Sequence, residues 1–344
     1  MAHHTTILFT AAAALLLILP LLSAGAATAP APVIGIPGCE TKCGNMTVPY
    51  PFGMGPSYCY LPGFNLTCNR STNPPRLLIG DGTLRISEEI FPGNNVITVV
   101  HTGYINTDGS DMLRHGTLGG GLGDPGAYEL SGSGVNELIL VGCDVRATLK
   151  KGNITISSCS SFCPTGLTPS DFEVLYRSDV ESSLQSSLLC SGMGCCQVPI
   201  IINDEVLAGA GDHAPITSYD VELESLGLNR SADQQWLPLL FVARKEWFSP
   251  YTMSHQLFTR AASMEVPFLV EWLVMDGHHD DTDQLKNSSL PAWECPAAAA
   301  LRVCRSNHTE CNRGEGGGYT CSCKKGYDGN PYLTDGCQGP FHRL

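Results

Sequence analysis

A mainly β, disulfide-rich fold is predicted for this chain on three observations. Sixteen cysteines, an even number, are spread over 344 residues. Short apolar and β-branched runs recur between Gly, Pro, Asn and Asp, the pattern of antiparallel strands joined by turns. The cysteines fall into two blocks, 39–196 and 295–337, so each block is expected to be stapled separately. The architecture expected is a disulfide-rich β domain, a β segment associated with it, and a small cysteine-dense module at the C-terminal end.

In chain order, Ile7–Leu22 is an apolar run followed by Ala24-Gly25-Ala26, the A-x-A form of a cleavage site. Residues 1–26 therefore read as a signal peptide. Pro20 and the shortness of the run argue against a membrane anchor. No later stretch reaches spanning length, so the mature chain is expected to be secreted to the cell exterior or wall, with no transmembrane helix. Residues 27–38 are an Ala/Pro-rich linker. Residues 39–200 hold ten cysteines and strand-like runs at Leu77–Ile79, Leu84–Ile86, Val96–His101, Glu137–Val141 and Asn153–Ser157. Residues 201–294 carry fifteen acids against five bases, with strand-like runs at Leu237–Ala243 and Pro267–Val274. Their apolar density is too high for disorder, so this β-rich acidic segment is expected to pack on the first block. Residues 295–338 hold six cysteines between Cys295 and Cys337, a stretch too short for a core of its own, so bridges must hold it. Residues 339–344 are a tail.

Charge and cysteine usage exclude several classes. The net charge is −13, whereas phosphate contacts need Lys and Arg, so nucleic acid is not expected as a partner. Dense, even cysteines behind a signal peptide indicate an oxidising compartment. The close pairs Cys39/Cys43 and Cys159/Cys163 have zinc-range spacing, but no His follows at finger spacing and oxidation removes the thiolates zinc needs. Seven Asn-X-Ser/Thr sequons, at Asn45, Asn65, Asn69, Asn153, Asn229, Asn287 and Asn307, mark expected surface glycosylation. Gly121-x-Gly123-x-x-Gly126 matches a dinucleotide fingerprint but does not open a helix. The run from Gly277 to Asp283 reads as a solvated acidic loop rather than a metal cluster. No cofactor, metal or catalytic residue is expected, and the chain reads as non-enzymatic. The glycosidase alternative would need two carboxylates across a cleft.

The C-terminal pattern Cys295-x8-Cys304-x6-Cys311-x9-Cys321-x-Cys323-x13-Cys337, with Gly-Tyr on either side of the C-x-C pair, resembles an EGF-like module. The resemblance implies bridges Cys295–Cys311, Cys304–Cys321 and Cys323–Cys337. Calcium is not implied, because only Glu294 precedes the first cysteine as a carboxylate and calcium takes 6–8 oxygens. Further motifs are CGNMTVPYPFG at 43–53, Gly142-Cys143-Asp144, CSGMGCCQ at 190–197 and GYDGNPYLTDGCQ at 326–338. In this order they resemble the galacturonan-binding ectodomain of plant wall-associated receptor kinases, followed by its EGF unit. The resemblance implies pectin or oligogalacturonides as ligand. No kinase signature of the V-A-I-K, H-R-D or D-F-G type occurs, so an ectodomain-type chain without transmembrane and kinase parts is expected.

A polyuronate ligand calls for cations, although residues 28–200 carry nine bases against fourteen acids and would repel it globally. A local patch is therefore needed. The candidates are Arg146, Lys150 and Lys151, with Arg70, Arg76 and Arg85. Tyr50 and Phe52 are candidates for stacking on sugar rings. The alternative function is a protein-interaction ectodomain that binds a receptor-type protein or peptide. The pairing of the ten cysteines in 39–196 stays open.

Overall fold

A computed structural model describes residues 34–110, 112–122, 127–163, 190, 192–202, 219–227, 238–249, 257, 259–275, 294–314 and 318–339. The expected signal peptide, two of the sequons (Asn229 and Asn287) and the acidic loop 277–283 lie outside these residues.

The fold is mainly β. A short hairpin, β1 (Lys42–Cys43) and β2 (Met46–Thr47), opens it. A six-stranded sheet follows the order β3 (Leu66–Asn69), β4 (Arg76–Ile79), β5 (Leu84–Ile86), β6 (Val96–Thr102), β16 (Glu265–Trp272), β9 (Tyr128–Leu130). A five-stranded sheet runs β12 (Ile154–Ser161), β11 (Val145–Lys151), β14 (Tyr219–Ser225), β8 (Leu113–Leu118), β7 (Thr107–Gly109). A three-stranded sheet places β10 (Ser133–Val141) between β13 (Cys195–Ile201) and β15 (Leu239–Arg244). Neighbouring strands in all three sheets are antiparallel.

Alternation fixes which face each strand buries. On β11, Val145, Ala147 and Leu149 point inward, while Arg146, Thr148 and Lys150 are more exposed. On β14, Tyr219, Val221 and Leu223 are buried, and Asp220, Glu222 and Glu224 lie on the other face. β10 differs: Asn136 through Val141 are all buried, as a strand covered on both faces should be.

The acidic segment runs through all three sheets. It supplies β14, β15 and β16, one strand to each sheet. β14 and β16 sit inside their sheets rather than at the edges. Asn136, fully buried, ties β10 to β16: its Nδ2 donates to the Leu269 carbonyl at 2.8 Å, and its Oδ1 accepts from Leu269 N at 2.9 Å. Such closure satisfies backbone groups that would otherwise be costly to bury.

Five bridges close within the first block: Cys39–Cys59, Cys43–Cys68, Cys143–Cys163, Cys159–Cys196 and Cys190–Cys195. The adjacent Cys195 and Cys196 take different partners because neighbours on a strand face opposite ways. In the C-terminal unit the bridges are Cys295–Cys311, Cys304–Cys321 and Cys323–Cys337. They hold helix α1 (Ala297–Val303), the hairpin β17 (Thr309–Arg313) and β18 (Tyr319–Cys323), and the pair β19 (Asp328–Gly329) and β20 (Cys337–Gln338).

The core is aromatic at its centre. Phe52 meets Phe64 and Trp272 edge-on, each at 5.1 Å between ring centroids. Tyr332 of the C-terminal unit packs on Trp272 at 5.6 Å and belongs to the same buried cluster. Asn330 donates to the Tyr50 carbonyl at 2.6 Å and accepts from Tyr332 N at 3.0 Å. Val274 and Tyr319 exchange backbone hydrogen bonds at 2.9 and 3.0 Å. The C-terminal unit is therefore seated in the core of the first block.

His101 on β6 gives the fold a pH dependence. Its ring packs edge-on to Phe268 at 5.7 Å and hydrogen-bonds the Val242 backbone. Its Nε2 is buried without a hydrogen-bond partner among the described residues. Burial holds the imidazole below its ordinary range, so the fold keeps it neutral while the unfolded chain takes up a proton near pH 6.5. Its effect on stability is then nil above about pH 6.5, and stability falls as pH drops from there toward the depressed folded value. Denaturant midpoints measured from pH 7.5 to 5 should show this loss, and His101→Gln should flatten it. An unchanged slope in the variant would assign the effect to other groups.

Candidate functional site

The strand alternation that buries the apolar faces presents three sets of cations to solvent. On the outer face of the six-stranded sheet, Arg76 of β4 and Arg85 of β5 converge on Glu265 of β16. Their Nη2 atoms lie 3.7 and 2.6 Å from its two carboxylate oxygens. Two guanidiniums on one carboxylate leave one positive charge in excess. Nearby in sequence, Arg70 pairs with Glu40, and both are exposed. Exposed pairs of this kind hold little energy, so a competing carboxylate can exchange into them at small cost.

On the five-stranded sheet the cations are matched more closely. Arg146 Nη1 lies 3.3 Å from Glu224, and Lys150 Nζ lies 2.6 Å from Glu222. His115 Nδ1 approaches the same Glu222 at 3.9 Å. Lys150, His115 and Glu222 border a cleft of about 490 Å³ that Asp108, Asn153 and Asp220 also line. Three carboxylates against one ammonium make the cleft acidic, so it suits a cation better than a uronate. Asp108 and Asp220 are exposed and Glu222 is ion-paired.

Three candidates sit differently from the sequence expectation. Lys151 follows Lys150 on β11 and so faces the interior, where it is 7% exposed and its Nζ lies 3.4 Å from Glu129. It holds a buried ion pair and is not free for ligand. Tyr50 and Phe52 are 3% and 1% exposed. Phe52 is part of the aromatic centre, and Tyr50 lies beneath Arg305, whose guanidinium carbon is 5.9 Å from its ring centroid. Burial raises the Tyr50 phenol above its ordinary range. Neither ring presents a face to a sugar. The aromatic cluster at 50–64 reports packing beside Cys59 and Cys68, with Tyr58 exposed.

Sequence reasoning missed the partner carboxylates Glu265, Glu222 and Glu224, because they arrive from the acidic segment through long-range pairing. Their outward alternation in Asp220-Val221-Glu222-Leu223-Glu224 was the available signal. Of the described sequons, Asn45, Asn65, Asn153 and Asn307 are exposed. Asn69 is half-buried, and its Oδ1 accepts from Ser71 N at 2.9 Å and Ser71 Oγ at 2.6 Å. Among the described residues no cluster of His, Cys, Asp or Glu is placed to hold a metal, and no helix is long and apolar enough to cross a membrane.

Comparison with known proteins adds a family signal. Residues 39–101 match the family described as wall-associated receptor kinase galacturonan-binding. The chain is 26% identical over 313 residues to Wall-associated receptor kinase 5 of Arabidopsis thaliana, covering 87% of this chain and 34% of that protein. It is 28% identical over 324 residues to Wall-associated receptor kinase 2 of the same plant, again covering 87% of this chain and 34% of that protein. The chain thus spans about a third of the length of the curated relatives it matches. No solved structure matches it.

Proposed function

Because residues 39–101 carry a galacturonan-binding domain of the wall-associated receptor kinase type, and most of the chain is similar to those kinases, we propose that this is a non-enzymatic, secreted, glycosylated protein. Its ligand is pectin or oligogalacturonide in the plant cell wall. The family match over 39–101 carries the reading. Charge placement supports it: that stretch holds four bases and four acids in a chain of net −13, so a polyanion meets less repulsion there than over the chain as a whole. Arg76 and Arg85 are the cations proposed to meet uronate carboxylates, by displacing the shared Glu265.

A direct test is the affinity of the full chain for de-esterified oligogalacturonide, measured at low and high salt in chelator. Binding should occur in chelator and weaken with salt, because exposed charge interactions are screened within about 8 Å at physiological ionic strength. Replacing Arg76 and Arg85 by Ala should weaken it several-fold, while Arg146→Ala with Lys150→Ala should not. Binding that appears only with calcium would move the contact to carboxylates. No binding in any condition would reject the reading.

A second reading rests on the acidic cleft of the five-stranded sheet. Asp108, Asp220 and Glu222 around Lys150 suit the basic side chains of a peptide or receptor-type protein. A lysine-rich peptide that binds the full chain and is lost with Asp220→Asn would favour it.

A further inference from the structure

The C-terminal unit reverses the charge of the rest of the chain. Residues 295–344 carry six bases against four acids, net +2, whereas the whole chain stands at −13. Within it, Lys324 and Lys325 are both exposed, and neither has a carboxylate partner among the described residues. Every other adjacent pair of described cations has at least one member tied to an acid: Lys150 and Lys151 to Glu222 and Glu129, Arg244 to Glu88. Adjacent ammonium groups on a rigid support, with no ion-pair partner among the described residues, are a local anion site.

The support is rigid for stated reasons. Lys324 to Tyr327 form a turn closed by Tyr327 N donating to the Lys324 carbonyl at 2.9 Å. Gly326 takes φ +91° at the third position, where a side chain would be strained. Lys324 N donates to the His308 carbonyl at 2.7 Å, just beyond the end of the β17–β18 hairpin. The His308 ring stacks on Tyr327 at 4.1 Å with 13° between planes. His308 is exposed and Tyr327 half-buried behind it, so the turn presents two ammonium groups beside a backed, flat ring. A pyranose offers an apolar C–H face to such a ring, and a uronic acid adds a carboxylate for an ammonium group.

We propose that Lys324, Lys325, His308 and Tyr327 form a second uronate-binding surface, on the C-terminal unit, which engages the same acidic polysaccharide as the 39–101 domain. This rests on the polysaccharide reading above and extends it to a part of the chain outside the matched domain. Two anchoring surfaces on one folded body raise the affinity for a long polyuronate above that for a short one, because the second contact forms intramolecularly.

The test uses the full chain carrying Asn307→Gln throughout, so that no glycan stands beside the patch. Affinity for long and short de-esterified oligogalacturonides is compared between this chain and one with Lys324→Glu and Lys325→Glu. The charge reversal should weaken binding of the long oligomer by about tenfold or more and reduce its salt dependence. His308→Ala should weaken it a few-fold with the salt dependence unchanged. Matching unfolding midpoints show that the variants are folded. If the parent chain binds and the charge-reversed chain binds equally well, the second surface is rejected while the polysaccharide reading stands. If an oligoglutamate of equal length competes as well as the sugar, the surface reads charge alone and the uronate assignment fails. If the parent chain binds no oligogalacturonide, both proposals fall together.

Discussion

Replacing Lys151 by Met should cost about 3 kcal/mol of stability, the lower end of what breaking a buried ion pair costs. Replacing its neighbour Lys150 by Ala should cost under about 1 kcal/mol, as for an exposed pair. The two residues look alike in sequence and differ in the face they occupy. Lys151 lies 7% exposed against Glu129. Glu129 stands directly opposite Glu271 in the β9–β16 register, and directly paired strand residues share a face. Without the ammonium group, Glu129 loses its paired cation while Glu271 stands opposite it on the same face. Lys150 keeps solvent access, and its partner Glu222 can turn to water or to His115. Guanidinium unfolding with the bridges intact measures both. Adding Glu129→Gln to Lys151→Met should recover part of the loss. Equal effects at the two lysines would mean that Lys151 is not buried as described, and it would again be open to ligand.

The same pair shows where sequence reading stops. Strand positions are local, so Leu77–Ile79, Leu84–Ile86 and Val96–His101 could be read from alternation and turn residues, and they fall within β4, β5 and β6. Facing is also local once a strand is placed, since Arg146 and Lys150 share a parity that Lys151 breaks. What a side chain meets is set by pairing at long range. Glu265 reaches Arg85 across 180 residues, and no periodicity near either residue signals it. Which sheets residues 201–294 join is not legible locally for the same reason: a segment that gives one strand to each of three sheets has no core of its own to reveal. The burial of Tyr50 and Phe52 is not legible in the sequence, because an aromatic cluster beside cysteines has the same composition in a core and in a sugar platform. Only burial separates the two. Lys324 and Lys325 carry no local signal of a site, because a lysine pair in a turn has the same sequence whether or not an acid reaches it.

Removing the bridge Cys323–Cys337 by paired Ser replacements should loosen the 39–101 segment together with the C-terminal unit. The closed loop is 14 residues in sequence separation, and losing such a bridge costs about 3 kcal/mol. Separate stapling of the two blocks, taken alone, would confine that cost to residues 295–338. The packing argues otherwise. The loop carries Asn330, Pro331, Tyr332 and Leu333, all buried. Tyr332 is 0% exposed and packs on Trp272, which in turn meets Phe52 and Phe64. Asn330 holds the Tyr50 carbonyl from the other side. When the loop loses its closure, Tyr332 can leave, and the aromatic centre is then exposed on one face with a buried carbonyl unpaired. Native-state hydrogen exchange resolves the outcome by region. Amides of Leu66, Ile79 and Val99 should lose protection along with those of Tyr319 to Cys323, and thermal unfolding should remain one transition at lower temperature. Wild-type protection in the first group beside rapid exchange in the second would show two independent units, and the seating of Tyr332 would then contribute little to the stability of the domain beneath it.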